Sequence, residues 1–209
     1  MPVDPIRPDL AAGAVAVPSD GLAALFANAG KAGGLGRGPA PVERWNPPYC
    51  GAIDMRIAAD GTWFYMGSPI GREAMVRLFA SVLRKDADGE TYLVTPAERC
   101  GIRVDDAHFV AVEMEAEGSG EAQRLTFRTG VGDIVTAGPA HGLRFAFDAA
   151  HGGVKPYLLV RGRLEARINR TVTYQLFDRG IERDIDGIRW FGVWSDVVFF
   201  PIQRADEIT

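Results

Sequence analysis

Apolar and polar residues alternate one by one between residues 53 and 57, and this period of two is typical of a β-strand. The pattern sets three apolar residues against two charged ones: Ile53, Met55 and Ile57 against Asp54 and Arg56. Asp60-Gly61 follows, and this pair is a strong local signal for a hairpin turn. The aromatic run Trp63-Phe64-Tyr65 then predicts the returning strand, so we expect a β-hairpin here.

Two segments in the first half of the chain have the period of a helix. Residues 20–29 begin with a Ser19-Asp20 cap, end at Gly30 and predict one short helix. Residues 70–85 follow a Ser68-Pro69 cap and carry an apolar stripe made of Met75, Val76, Phe79, Val82 and Leu83. We expect Asp88-Gly89 to end this second helix and to lead into a strand at Tyr92-Leu93-Val94.

The second half of the chain has mostly the period of strands. A hairpin is predicted where the alternating residues 110–115 are followed by a Gly-Ser-Gly turn and by Leu125-Thr126-Phe127. Further strands are predicted at 134–135, 143–147, 189–191 and 197–200. From Arg163 onward, four apolar residues recur at every fourth position and favour a helix: Leu164, Ile168, Val172 and Leu176. Residues 164–168 also fit a period of two.

The order of elements indicates an α+β protein of two small domains built on a duplicated strand/helix motif. In both halves a predicted helix, opening at Gly71 or at Gly162, is followed by Asp-Gly and a strand. We expect a disordered N-terminus at 1–18, an N-terminal α+β domain at 19–98 and a C-terminal α+β domain at 99–209. The interface of two such domains is a natural place for a ligand-binding cleft.

Composition narrows the classes of function. The chain has 209 residues, a net charge of −4, and globular shares of apolar (47%) and charged (24%) residues. The acidic balance argues against nucleic acid as a partner, because phosphate binding needs a basic surface. No apolar run reaches the length of a membrane span, and no signal peptide is recognised, so we expect a cytoplasmic protein. Two cysteines, Cys50 and Cys100, are interpreted as small core residues rather than a disulfide framework.

Several short motifs together resemble the bacterial family called domain of unknown function 1285, over roughly residues 45 to 200. They are Asp54-Met55-Arg56-Ile57, Asp60-Gly61-Thr62-Trp63, Pro69-Ile70-Gly71-Arg72, Leu78-Phe79, Leu93-Val94-Thr95-Pro96 with Glu98, Pro156-Tyr157 with Val160-Arg161, and Leu164-Glu165-Ala166 with Arg170 and Tyr174. The resemblance implies two domains built on a duplicated motif, the second superficially like pleckstrin-homology domains. It also implies a ligand site between the domains, a nucleotide-like ligand and a part in signalling.

Arginines and tyrosines are the candidate ligand-binding residues. Arg72 and Arg161 each precede a predicted helix, where a guanidinium and free backbone N–H groups together suit an anion. Alternatively, these arginines pair with Glu98 or Glu165 of the other domain and hold the interface. Arg170 is a third candidate for the anion, and the ring of Tyr157 or Tyr174 could stack on a purine or a similar ring.

Catalytic motifs are scarce. The three histidines are not at metal-ligand spacing, no serine lies in a nucleophile elbow, and Glu98 with Cys100 is the remaining enzymatic candidate. We therefore expect a non-catalytic regulatory protein that binds a small anionic ligand; the sequence does not identify a cofactor. Two alternatives stay open: a protein-interaction module whose arginines are structural, and a hydrolase or transferase. The protein partner would then be a signalling protein, and a homodimer is the default assembly.

Overall fold

The computed structural model describes residues 39–148 and 153–207. In these ranges strands predominate: fifteen strands form three sheets, and two short α-helices accompany them. The expected α+β class is therefore corrected to a mostly β fold that retains two helices. The helix predicted at 20–29 and the N-terminus predicted to be disordered lie outside the described residues.

The first sheet has six strands: β1 (Tyr49–Ile57), β2 (Trp63–Tyr65), β3 (Ser68–Pro69), β4 (Leu83–Lys85), β5 (Thr91–Val94) and β6 (Arg99–Val104). Their order is β3-β2-β1-β6-β5-β4, and only the central pair β1 and β6 is parallel. Helix α1 (Glu73–Ser81) connects β3 to β4. The hairpin predicted at Asp60-Gly61 is confirmed, because Ile57 pairs with Trp63 across the turn.

The second sheet repeats this strand order. Its strands are β7 (Phe109–Glu117), β8 (Arg124–Thr129), β9 (Ile134–Thr136), β10 (Leu143–Asp148), β11 (Gly153–Arg161) and β12 (Leu164–Ile168). They lie in the order β10-β11-β12-β7-β8-β9, and again the central pair, β7 and β12, is parallel. Each sheet thus consists of two antiparallel three-strand units joined through the first strand of one and the last strand of the other.

A third, smaller sheet follows helix α2 (Arg170–Phe177). It contains β13 (Ile181–Ile185), β14 (Ile188–Ser195) and β15 (Val198–Arg204) in sequential antiparallel order. The buried Ser195 hydroxyl accepts a hydrogen bond from the Leu125 N–H and donates one to the Ala137 carbonyl. The Gln123 amide donates to the Trp194 carbonyl. These bonds attach the end of β14 to the second sheet.

Helix α1 is shorter than predicted. It ends at Ser81, and Leu83–Lys85, which the pattern assigned to the helix, forms β4 and pairs with β5. Asp88-Gly89 is the turn between these two strands and not the end of a helix, and Gly89 has a φ of 88° there. Pairing with a neighbouring strand therefore overrides the helical spacing of Val82 and Leu83.

The helix predicted from Arg163 is two elements. Leu164–Ile168 is a strand with a partner on each side, β11 and β7, so its period of two decides its structure. The helix begins only at Arg170, because the Asn169 side chain caps it by accepting a hydrogen bond from the Val172 N–H. Strand β11 was not predicted, since Pro156 and a run of apolar residues hide its alternation.

The chain passes from the first sheet to the second between Val104 and Phe109. Strand β6 lies in the middle of the first sheet, beyond the division expected at residues 98 and 99. The repeat read from the sequence aligned α1 with residues 162–166. In the structure α1 connects β3 to β4, so the common strand order makes the connection between β9 and β10 its counterpart. No helix in the described ranges is both long and apolar enough to cross a membrane.

Candidate functional site

The two sheets meet at His108, which is buried just before β7. Its Nδ1 accepts a hydrogen bond from the Glu165 backbone N–H at 3.2 Å, and its Nε2 lies 3.1 Å from the Thr91 hydroxyl oxygen in the first sheet. Because Nδ1 accepts a hydrogen bond, Nε2 carries the proton of the neutral ring and donates a hydrogen bond to the Thr91 hydroxyl. Burial and the nearby charge of Lys85 lower the pKa of His108 to about 4. The imidazole is therefore neutral at physiological pH.

Three arginine–carboxylate pairs surround this histidine. Arg144 donates to both carboxylate oxygens of Glu165 at 3.0 and 2.8 Å. The other pairs are Arg161 with Asp133 at 2.5 Å and Arg167 with Asp106 at 3.5 Å. We name the whole group the junction cluster, and its members are Lys85, Asp106, His108, Asp133, Arg144, Tyr157, Arg161, Glu165 and Arg167. Among these residues are four cations and three carboxylates, and the Asp60 carboxylate also interacts electrostatically with Arg167.

Tyr157, a predicted ligand-stacking residue, lies inside the junction cluster. Its hydroxyl donates to Asp106 at 2.7 Å, and the Arg144 guanidinium stands 4.1 Å from the centre of its ring. Burial and the hydrogen bond to Asp106 raise the pKa of Tyr157 to about 12. The hydroxyl therefore stays protonated at neutral pH and can donate a hydrogen bond, but it cannot serve as a base.

Arg161 joins the two sheets. It donates to Asp133 and, at 2.7 Å, to the Ala80 carbonyl near the C-terminal end of α1, and its guanidinium lies 4.7 Å from the Phe109 ring. A cation at that end complements the helix dipole. This position differs from the expected one before a helix, because the chain after Arg161 enters β12. The Arg161 Nε is buried and makes no hydrogen bond with any residue in the described ranges.

The remaining predicted residues lie apart from the junction cluster. Arg72 is exposed at the N-terminal cap of α1, roughly 12 Å along the helix from the carbonyl that Arg161 contacts. Arg170 and Tyr174 contact each other at the start of α2, where the guanidinium donates to the tyrosine hydroxyl at 3.1 Å. Of the predicted set, the structure therefore brings together Tyr157, Arg161 and Glu165.

Glu98 belongs to a second, buried group. A tight turn holds it, because its N–H donates to the Thr95 hydroxyl and its carbonyl accepts from the Thr95 N–H. A Glu98 carboxylate oxygen lies 3.7 Å from the Cys100 sulfur, and Cys100 forms a disulfide with Cys50 of the neighbouring β1. The expectation that both cysteines are simple core residues is therefore corrected, since the parallel pairing of β1 and β6 places them side by side.

A groove of about 610 Å³ lies on the third sheet, and sequence reasoning missed it. Two aromatic rings, Trp194 and Phe199, form one wall, and Arg183 lies 4.5 Å from the centre of the Trp194 ring. Asp184, Asp186 and Val197 add to its lining. The aromatic residues at 194 and 199 were the sequence signal available for this groove, but only the pairing of β14 with β15 places their rings side by side.

The comparisons with known proteins agree with one another. Residues 40–107 match the model described as "Domain of unknown function (DUF1285), N-terminal domain", and residues 108–202 match "Protein of unknown function (DUF1285), C-terminal domain". The chain is similar to a crystal structure of a DUF1285 family protein from Silicibacter pomeroyi DSS-3. The two share 52% identity and a TM-score of 0.79, over 88% of this chain and 97% of that one.

A second solved structure is that of a DUF1285 family protein from Shewanella baltica OS155. It shares 24% identity and a TM-score of 0.47, over 60% of this chain and 91% of that one. No curated protein matches the chain. The two family models together span most of the sequence, in the same order as the two six-stranded sheets. The chain therefore belongs to the DUF1285 family.

Proposed function

We propose that the protein is a non-catalytic regulatory protein that binds a small anionic ligand at the junction cluster between its two domains. The observation that supports this is that three arginines and Lys85 are gathered around a buried neutral histidine in an acidic chain. Phosphate or carboxylate groups are suitable partners because a guanidinium binds two oxygen atoms at once. Tyr157 adds a protonated hydroxyl, which can donate to the same anion if it leaves Asp106.

Within this proposal, the ligand replaces carboxylates that now occupy the guanidinium groups. The pair of Arg144 and Glu165 is the easiest to open, because the Arg144 side chain is half exposed. An exposed ion pair contributes about 0–1 kcal/mol, so exchange of Glu165 for a phosphate has a small cost. The internal ion pairs then hold the site ready in the absence of ligand. A nucleotide or another phosphorylated metabolite is the class of ligand proposed, with a part in signalling.

A specific observation favours a second candidate function. Arg161 already donates hydrogen bonds to Asp133 and to the Ala80 carbonyl, as expected of a residue that holds two domains together. In this alternative the protein is an interaction module. The second sheet duplicates the first and is followed by α2. Together the second sheet and α2 would bind a signalling partner as a pleckstrin-homology domain does.

Thermal unfolding with a panel of nucleotides and phosphorylated metabolites separates these two functions. The informative variant is Arg144→Gln, which removes a cation from the junction cluster, and the matched control is Arg170→Gln, which removes an exposed cation on α2. Ligand at 100 times its Kd stabilises by about 2.7 kcal/mol. The ligand-binding proposal expects this shift in the wild type and the control, but not in Arg144→Gln. No shift with any ligand, in proteins that unfold cooperatively, would favour the interaction module over ligand binding.

A further inference from the structure

The cysteine pair of the first sheet lies beside a buried carboxylate. Cys50 in β1 and Cys100 in β6 are 50 residues apart in sequence, and their Cα atoms are 5.5 Å apart. Cys100 is fully buried, whereas Cys50 is partly exposed at the edge of the same group. Glu98 is 2% exposed, so its carboxylate is almost completely removed from water.

Each sulfur atom faces an oxygen atom that can accept a hydrogen bond. The Cys50 sulfur lies 3.4 Å from the Arg99 carbonyl oxygen, and the Cys100 sulfur lies 3.7 Å from a Glu98 carboxylate oxygen. A disulfide has no proton to donate, whereas two thiols have one each. These surroundings therefore suit the dithiol as well as the disulfide, which is what a pair that changes between the two forms requires.

The backbone around the pair also allows the two sulfur atoms to separate. The pairing of β1 with β6 shifts its register between Tyr49 and Ala52 and again between Ala52 and Arg56. Gly51, next to Cys50, has a φ of 104°, a conformation that L-residues rarely adopt. Because the ladder is already irregular here, a small movement of Cys50 away from Cys100 breaks no continuous run of hydrogen bonds.

We propose that Cys50, Cys100 and Glu98 form a thiol–disulfide exchange site that takes low-molecular-weight thiols and disulfides as its reactants. In the oxidising direction the Cys50 thiolate attacks one sulfur of a small disulfide and releases one small thiol. The Cys100 thiolate then attacks the Cys50 sulfur and releases the second small thiolate, while Glu98 accepts the Cys100 proton and gives it up to solvent, from which the leaving thiolate is protonated. Two electrons move from the cysteine pair to the small disulfide, and the two protons lost by the cysteines are balanced by two taken up by the released thiols.

The roles of the three residues follow from their exposure. Cys50 is assigned to the reactant because this residue is partly exposed, and the buried Cys100 is assigned to resolve the mixed disulfide. Glu98 is assigned as the proton acceptor because its carboxylate lies beside the Cys100 sulfur. The turn with Thr95 holds it in that position. Exchange rates depend on the thiolate fraction and on the access of the reactant to the sulfur atom. The proton acceptor beside Cys100 and the partial exposure of Cys50 therefore both affect the rate.

The experiment uses the full chain equilibrated in glutathione buffers of increasing oxidised fraction, followed by alkylation and mass spectrometry. We expect two alkylated thiols at the reduced limit, none at the oxidised limit, and full return between them. In Cys100→Ser, Cys50 should hold one glutathione as a mixed disulfide, while Cys100 in Cys50→Ser should hold none. Glu98→Gln should slow the exchange by roughly 100-fold or more, and the matched control Glu90→Gln, an exposed residue in the turn between β4 and β5, should not.

Three results would overturn the proposal. A folded protein whose cysteines stay oxidised in excess dithiothreitol carries a structural disulfide. A reduced protein that never forms the disulfide at any glutathione ratio carries two core cysteines. A reduced protein that keeps one zinc ion per chain through dialysis, with both thiols protected from alkylation, uses the same three residues as a metal site. The single-cysteine variants decide the roles of the sulfur atoms even if Glu98→Gln does not fold.

Discussion

Acidification should destabilise the protein through His108. The folded protein holds this imidazole neutral, because burial and the charge of Lys85 lower its pKa to about 4, and Arg161 adds a further positive charge nearby. Glu165 is the facing carboxylate, and its effect on the histidine is smaller than that of burial. In the unfolded chain the same group has a pKa of about 6.5. Between these two values the unfolded chain binds a proton that the folded protein does not.

The sign and size of the effect follow from proton linkage. Since the unfolded state binds more protons below pH 6.5, the free energy of unfolding falls as the pH falls from about 6.5 to about 4. Each unit of pKa difference corresponds to about 1.36 kcal/mol, so by pH 4.5 the loss from His108 is about 2–3 kcal/mol. Carboxylates with lowered pKa values, such as Glu165 and Asp86, lose their contributions only at lower pH.

Urea unfolding at half-unit steps from pH 7.5 to pH 4.5 measures this loss. His108→Gln cannot gain the charge, so its free energy of unfolding should fall by about 2–3 kcal/mol less than that of the wild type over this range. His141→Gln is the matched control, because that histidine is only partly buried. Equal slopes for the wild type and His108→Gln would refute the reasoning. NMR titration of the wild type gives a second check, since a His108 signal that moves near pH 6.5 would also refute it.

Three further predictions concern stability. Ser195→Ala should lower the free energy of unfolding by about 1–3 kcal/mol in chemical denaturation, because it leaves the buried Leu125 N–H and Ala137 carbonyl without a partner; an unchanged midpoint would contradict this. Val197→Gly should raise the free energy of unfolding by about 1 kcal/mol and so raise the melting temperature, since the exposed Val197 has a φ of 61° in a two-residue turn. A melting temperature below that of the wild type would count against strain in this turn. In oxidised protein, Cys50→Ser should cost about 2–4 kcal/mol, and the cost should mostly disappear when both proteins are compared in dithiothreitol.

The junction cluster shows why the candidate site was only partly predictable. Arg161, Tyr157 and Glu165 were predicted, and they do meet at the domain junction. Their actual partners were not, because Arg161 contacts Asp133 and Ala80 across 28 and 81 residues of sequence. An arginine in a sequence indicates which chemistry is available, but which carboxylate reaches it depends on how strands from two sheets come together.

The sequence by itself determined two of the hairpins and the family. The hairpin at Asp60-Gly61 and the hairpin after Val110 follow from period and turn residues, which act between near neighbours. Only the tertiary structure decided that Leu164–Ile168 is a strand, because partners on both sides outweigh a helical spacing. The same holds for the disulfide, since Cys50 and Cys100 become neighbours only when β1 lies parallel to β6. Contacts between distant segments carry no local signal, and in this protein they build both candidate sites.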